Sequence, residues 1–291
     1  MREIIYPKSS SAPIVLALGF FDCLHIGHIA VLDACKQSAI QHQADVAVAT
    51  FLNNPNGKDK QIYTYTERQI KLKEQQVDIV LGINFDKKFS EISPDDFLDT
   101  LFGNYNIKAV VCGFDYRYGA NRVGDSVTLK AKWNALSIPV VVVNEVSADS
   151  KKVSSTLIKS LLSEGAIESA NTLLSSNYTL CGLVARGRGQ GKQFGVPTAN
   201  IILSEDKHTI KAGVYGTHAY VNGKKYKAVT NVGTAPTFGE NSPVIETHII
   251  DFDGDIYGKS MTVEFVKRIR DIKKFESITE LKEQIQKDCK R

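Results

Sequence analysis

Two histidines three positions apart, at the end of an apolar run, are the first residues in this chain able to do chemistry. They lie in Gly19-Phe20-Phe21-Asp22-Cys23-Leu24-His25-Ile26-Gly27-His28. The run before them, 14–18, reads as a buried strand, and 29–39 reads as a helix. A helix N-terminus offers unpaired N–H groups and partial positive charge, which suits a phosphate. Imidazoles placed there donate hydrogen bonds to phosphoryl oxygens as negative charge develops on them. The chemistry this implies is that of a nucleoside triphosphate. Two ordinary histidines in a surface turn would explain a lone pair, but not the strand, the glycines and the helix around it. Metal binding is the weaker alternative, because no third ligand of suitable spacing is evident.

Three further segments carry chemistry. Ser154-Ser155-Thr156 opens a helix with Lys159 one turn on, so hydroxyls, helix N–H groups and an ammonium could hold phosphate, or the hydroxyls could simply cap. Gly113-Phe114-Asp115-Tyr116-Arg117-Tyr118-Gly119 sets two tyrosines around an arginine, either gripping a planar ring and a phosphate or packing in the core. The third, 187–200, combines Gly187, Gly191, Lys192, Gly195 and Pro197 with Thr198 and Asn200. Its glycines let backbone approach phosphates, and Thr198 and Asn200, on alternate residues of a strand, face one side as hard oxygen ligands suited to Mg2+. Glu246 on a candidate strand could accept a hydroxyl proton. A Walker loop is excluded, because Gly191-Lys192 is followed by Gln193 and Arg186 stands where the first glycine belongs. No dinucleotide glycine fingerprint follows the first strand.

The elements that must position these residues fall into two halves. Strands over 14–20, 45–51, 79–83, 108–112 and 139–143 alternate with helices, which predicts a parallel, doubly wound α/β sheet with ligands beyond the strand C-termini. Helix starts are read at Thr66 with Gln69 and at Ser93-Pro94-Asp95-Asp96. After about residue 176 the pattern changes to short strands over 178–186, 213–221, 226–232, 244–251 and 260–266. Asn222-Gly223 is a hairpin signal among them, and an antiparallel barrel or sandwich follows. A last helix starts at Ser277, with Glu280 completing a capping box and Ile278, Leu281 and Ile285 buried. The expected domains are 1–165 and 177–291, joined by a 166–176 linker.

Composition bounds the class. The chain has 291 residues, 43% hydrophobic and 23% charged, with a net charge of +4. That mild charge fits anionic small molecules and disfavours a dedicated nucleic-acid binder. The five cysteines form no CxxC pair, which excludes the usual spacing of a zinc site, argues against a disulfide framework and points to a reducing cytoplasm. Apolar runs fall short of a membrane span. Nothing in the pattern speaks to oligomeric state.

Taken in order, these segments resemble the bacterial bifunctional riboflavin kinase/FMN adenylyltransferase family over nearly the whole chain. The resemblance rests on 19–28, Ser154 to Thr156, Gly195-Val196-Pro197-Thr198-Ala199-Asn200, Asn231-Val232-Gly233-Thr234-Ala235-Pro236-Thr237-Phe238, Glu246, Asp255-Ile256-Tyr257-Gly258 and Arg268-Ile269-Arg270. It implies a Rossmann-like nucleotidyltransferase domain and then a six-stranded β-barrel kinase domain, acting on ATP, Mg2+ and flavins. In the first, His25 and His28 would be catalytic. Gly19, Phe20, Phe21, Asp22, Gly27, Ser154, Ser155, Thr156 and Lys159 would hold ATP, and Asp115 and Arg117 would hold FMN. In the second, Glu246 would be the base. Gly187, Gly191, Lys192, Gly195, Pro197 and Thr198 would hold ATP, Asn231, Thr237 and Arg270 the flavin, and Thr198 and Asn200 the metal. The chain departs from the family pattern at Cys23, usually glycine, at Asn53-Asn54-Pro55, usually Pro-His-Pro, at Lys159, usually arginine, and at Ile272, usually glutamate. A paralogue with one working site, or a flavin- or nucleotide-binding regulator, would share the same folds.

Overall fold

The computed structural model describes residues 1–55, 57, 59–186, 196–234 and 243–290. By contacts the chain forms two compact units, Met1–Ser155 and Thr156–Arg291.

The first unit contains β1 (Arg2–Ile5), β2 (Ser10–Leu18), α1 (Ile26–His42), β3 (Asp45–Phe51), α2 (Tyr65–Glu74), β4 (Ile79–Ile83), α3 (Lys87–Ser90) and α4 (Pro94–Asn104). After these come β5 (Tyr105–Gly113), β6 (Arg117–Tyr118), β7 (Gly124–Asp125), α5 (Ser126–Ala135), β8 (Val140–Val143), β9 (Ser147–Ala148) and β10 (Lys151–Lys152). The main sheet runs β1-β4-β3-β2-β5-β8, and every pairing in it is parallel. The edge strand β1 has no sequence signal of its own; it pairs through Arg2–Ile5 with β4.

Alternation along β2 divides the core between the two sheet faces. Ile14, Leu16 and Leu18 pack with Phe97, Leu101, Leu129 and Trp133 on one face. Val15 and Ala17 pack with Leu32 and Cys35 of α1 on the other. The chain goes from β2 to β3 on one side and reaches β5 on the other, so the strand order reverses at β2. A doubly wound sheet opens its ligand crevice at such a point, beyond the strand C-termini.

Two helix starts differ in detail from expectation and a third agrees. α1 begins at Ile26 rather than 29, because His25 itself is the N-cap and its Nδ1 accepts the His28 N–H at 3.1 Å. Histidine lies outside the usual capping set, so the boundary was not legible. The cap of α2 lies two residues before Thr66: Thr64 and Glu67 form the capping box. Ser93 caps α4 with Pro94 in the first turn, as read from sequence.

From Thr156 the second unit carries α6 (Ser155–Glu164, its first residue still in the first unit) and α7 (Ile167–Leu173), continues through β11 (Thr179–Ala185), β12 (Ala199–Ile201), β13 (Gly213–Val221), β14 (Lys224–Thr234), β15 (Pro243–Ile249) and β16 (Ser260–Arg270), and ends with α8 (Ile278–Cys289). The strands close a barrel in the order β11-β12-β15-β14-β13-β16, all antiparallel. Inside it, Thr217, Thr230 and Thr247 link hydroxyl to hydroxyl at 2.9 and 3.0 Å. Within the expected linker, 166–176, α7 packs on the barrel. Asn171 of α7 donates to the Phe265 carbonyl at 2.9 Å and accepts the Tyr178 N–H at 2.8 Å, tying the helix to the barrel.

α8 is capped by Ser277, but the Glu280 carboxylate accepts the Glu276 N–H instead of closing the box on Ser277. Ile278 is 48% exposed, contrary to expectation; Leu281 and Ile285 are half-buried, and the fully buried residue of the helix is Asp288. Among the described residues no helix is long and apolar enough to cross a membrane.

Candidate active sites

The sheet of the first unit opens into a cavity of about 750 Å³ beyond β2 and β5. Gly19, Phe20, Phe21, His25, Gly27 and His28 line one wall, and Ser154 and Ser155 lie on the same wall system with Asp115, Arg117 and Lys152. The loop that brings the histidines there is wound through left-handed backbone at Phe21 (φ 53°) and Leu24 (φ 46°). Such conformations are costly for bulky residues and persist where the surroundings enforce them. Here Phe21 and Leu24 are both fully buried in the α1 side of the core.

Two glycines allow close approaches of the aromatic rings. A Cβ on Gly19 would stand 2.9 Å from the Phe21 ring, and one on Gly27 would stand 3.1 Å from the His25 ring. Gly27 therefore lets the imidazole lie flat against the first turn of α1.

His25 and His28 are stacked, 3.7 Å between ring centroids and 7° from parallel. Burial pushes His25 down to about 4, and burial with the neighbouring His25 pushes His28 well below the ordinary histidine value. Both rings are therefore neutral at pH 7. Because His25 Nδ1 accepts from the His28 N–H, its own proton is assigned to Nε2. The motif offers hydrogen-bond donors without bringing full positive charge.

Asp22 is the clear correction within the motif. It is 2% exposed and does not line the cavity; its Oδ1 accepts the N–H groups of Ile62 at 2.8 Å and Tyr63 at 3.2 Å. A carboxylate spent on two backbone donors anchors the loop rather than meeting an anionic phosphate. Behind Phe20, the buried Arg68 guanidinium lies 4.7 Å from its ring centroid and donates to the Tyr63 carbonyl at 2.9 Å, while Thr50 Oγ1 donates to the Phe20 carbonyl at 2.7 Å. No motif flagged Arg68, since it acts through the loop's shape.

Asp115 pairs with Lys152 at 2.7 Å, and the Lys152 ammonium also sits 4.5 Å from the Phe114 ring centroid. Arg117 reaches Asp125 at 3.4 Å. Of the two readings of the tyrosines, core packing is observed: Tyr116 and Tyr118 stack at 5.7 Å and pack on the core, and they also line the cavity. The sequence reading missed the aromatic wall opposite, Phe51, Phe85 and Phe89, whose rings meet edge to face at 5.3 to 6.1 Å. Asn53 pairs with both backbone groups of Phe85, and Asn54 donates to the Asp59 carbonyl, so these two residues brace loops. Thr156 and Lys159 fall in the second unit.

No third ligand was evident from spacing, but the fold brings one beside the histidines. Cys23 is 1% exposed, and its sulfur and one ring nitrogen each of His25 and His28 lie within 4.8 Å of one another. Cys23 Sγ is also 3.4 Å from Ser155 Oγ.

The second unit has its own cavity, about 260 Å³, lined by Thr198, Asn231, Glu246, Arg270, Ile272, Phe275, Leu281 and Ile285 among others. Glu246 on β15 stands in register with Asn200 on β12 and Asn231 on β14, and the Asn231 amide approaches its Oε2 at 3.4 Å. The short strand β12, unassigned from sequence, is what sets Asn200 beside Glu246. Arg270 grips Asp288 of α8 through Nε at 3.1 Å and Nη2 at 2.8 Å, and Gln284 adds a 2.9 Å hydrogen bond to the same carboxylate. Asp288 was not singled out, because an acid near a chain's end carries no motif. The Pro197 carbonyl meets His248 Nδ1 at 2.9 Å. Gly187, Gly191, Lys192, Gly195 and Thr237 lie outside the described residues.

Comparison with known proteins agrees with both halves. Residues 8–157 match the FAD synthetase family and residues 174–291 the riboflavin kinase family. A bifunctional riboflavin kinase/FMN adenylyltransferase of Bacillus subtilis is 36% identical over 97% of this chain and 92% of its own length. One from Listeria monocytogenes is 36% identical over 94% and 90%. A crystal structure from Streptococcus pneumoniae, of a protein described as a macrolide-efflux protein, superposes with a TM-score of 0.87 at 29% identity, covering 98% of this chain and 97% of its own. With both halves matched in order and relatives aligned almost end to end, the chain belongs to the bifunctional riboflavin kinase/FMN adenylyltransferase family.

Proposed function

We propose that the chain makes FAD from riboflavin in two steps at two separate sites. The observation that carries this reading is the pair of independent cavities, one gathering the histidine pair and Ser154-Ser155, the other gathering Glu246 with Asn231 and Arg270.

In the barrel, the terminal ribityl hydroxyl of riboflavin attacks the γ-phosphorus of ATP, and ADP leaves. Glu246 accepts the hydroxyl proton, with Asn231 fixing its orientation. The apolar end of the cavity, Ile272, Phe275, Leu281 and Ile285, covers the flavin ring, and Arg270 is held at its edge by Asp288. Thr198 and Asn200 would be the oxygen donors for Mg2+, a set whose hardness fits that ion, which with ATP would neutralise phosphate charge.

In the first unit, an FMN phosphate oxygen attacks the α-phosphorus of a second ATP, and pyrophosphate leaves. No protein nucleophile is required, so the work is alignment and stabilisation of developing charge. His25 donates from Nε2 and His28 from its ring N–H, while the Ser154 and Ser155 hydroxyls border the same space. The aromatic wall takes planar rings, and Lys152 and Arg117 supply positive charge for the FMN phosphate, Asp115 orienting Lys152.

The test is incubation of the full chain with riboflavin, ATP and Mg2+, followed by separation of the flavins. Accumulation of FAD is the expected outcome. FMN alone would remove the adenylyl-transfer step, and no turnover from riboflavin or FMN would leave a flavin-binding regulator.

A further inference from the structure

We propose that Cys23, His25 and His28 form a site for one thiophilic divalent cation, Zn2+ by ligand type, and that the bound ion blocks the phosphate-handling end of the first cavity. The blocking half rests on the reading of that cavity as the adenylyl-transfer site; the binding half does not.

Among the described residues this group of one sulfur and two imidazole nitrogen donors is close enough to share an ion, with its three donor atoms within 4.8 Å. The left-handed turn at Leu24 folds Cys23 back toward the first turn of α1, which is why donors so close in sequence converge. A second observation points the same way. His28 Nδ1 is buried with no hydrogen-bond partner, a polar atom that a ligand would satisfy. One thiolate and two imidazoles make a set that selects Zn2+ over Mg2+, which prefers oxygen. Three protein ligands leave a fourth position open, and Ser155 Oγ, 3.4 Å from the sulfur, borders it. On binding, the Cys23 thiol releases its proton to solvent, and sulfur and both imidazoles donate lone pairs to the ion. The rings, now stacked at 3.7 Å, must splay to aim at one point, and the His25 cap on the His28 N–H is disturbed. The same imidazoles are then no longer available to phosphate.

The experiment uses the full chain, freed of metal by chelation and titrated with Co2+ as a spectroscopic probe and then Zn2+. One Co2+ per chain with thiolate-to-cobalt charge-transfer absorption is expected. Cys23→Ala removes that absorption and weakens Zn2+ by about a hundredfold, at least the cost of disturbing a ligand's own support; Cys181→Ser leaves both intact. Zn2+ suppresses conversion of FMN to FAD in the parent chain and spares conversion of riboflavin to FMN, whereas Cys23→Ala resists it. Trp133 fluorescence reports the fold of the first unit, and Cys23→Ser, closer in size, replaces any variant that unfolds. No charge-transfer band, or unchanged binding without the Cys23 sulfur, would overturn the site. A Co2+ band from a chain that, before metal is added, makes no FAD from FMN would keep the site and overturn the functional reading.

Discussion

At the scale of single residues, the histidine pair shows how burial sets chemistry. Ordinary histidines titrate near 6.5, but His25 is held down to about 4 by burial, so the folded chain keeps it neutral where an unfolded chain would ionise it. The unfolded state therefore binds more protons between those values, and stability falls as pH drops through that window and levels off below it. At about 1.4 kcal/mol per pH unit, the loss from this residue reaches about 3 kcal/mol by pH 4. Urea unfolding followed by the sole tryptophan, Trp133, should show a midpoint falling between pH 6.5 and 4. His25→Asn, which keeps a capping side chain, should flatten that slope. At pH 7, His28→Ala should lower FAD formation from FMN by about a hundredfold, the usual scale for one lost oxyanion donor. FMN formation should remain close to the parent rate; an unaltered adenylyl-transfer rate would remove His28 from the mechanism.

At the scale of elements, an ion pair between Arg270 and Asp288 ties the end of β16 to α8. The Asp288 side chain is 1% exposed and receives Arg270, while Ile278 at the helix start faces solvent. Removing one partner of a buried pair strands the other charge, which typically costs about 3–5 kcal/mol. Asp288→Asn should therefore loosen α8 and raise the KM for riboflavin in the kinase assay, while conversion of FMN to FAD is unchanged. An unaltered KM would show that Arg270 keeps its place without Asp288. A second charged cluster lies on the barrel wall. Burial alone would raise Glu264, but hydrogen bonds from Lys225, Tyr220 and Asn177 outweigh it and bring it to about 2. Its stabilisation is present above the ordinary glutamate value and lost as pH falls toward 2, below the window in which His25 acts.

At the scale of the whole molecule, each compact unit carries its own cavity and its own set of polar groups. Loss of one chemistry should leave the other standing. Glu246→Gln should suppress FMN formation from riboflavin by about 10²-fold or more, in the range of general-base catalysis. FMN supplied directly should still be converted to FAD. Equal loss of both reactions would contradict the separation of the sites.

Local pattern decided the element types. Apolar runs at 45–51 and 79–83 coincide with β3 and β4, Ser93-Pro94 starts α4, and Asn222-Gly223 turns between β13 and β14. Such signals are near-neighbour effects of backbone sterics and side-chain periodicity, so a linear reading carries them. The motif order likewise identified the family before any coordinate. Contacts between distant segments were decided only by the tertiary structure. Asp22 became an anchor for Ile62 and Tyr63, 40 residues away in sequence, instead of a phosphate contact. Asp288 found Arg270, and Cys23 joined the histidines because two left-handed residues turn the loop inward. Spacing along the chain names the groups available for chemistry, whereas burial and the folding back of loops determine which of them share a site and in what protonation state they act.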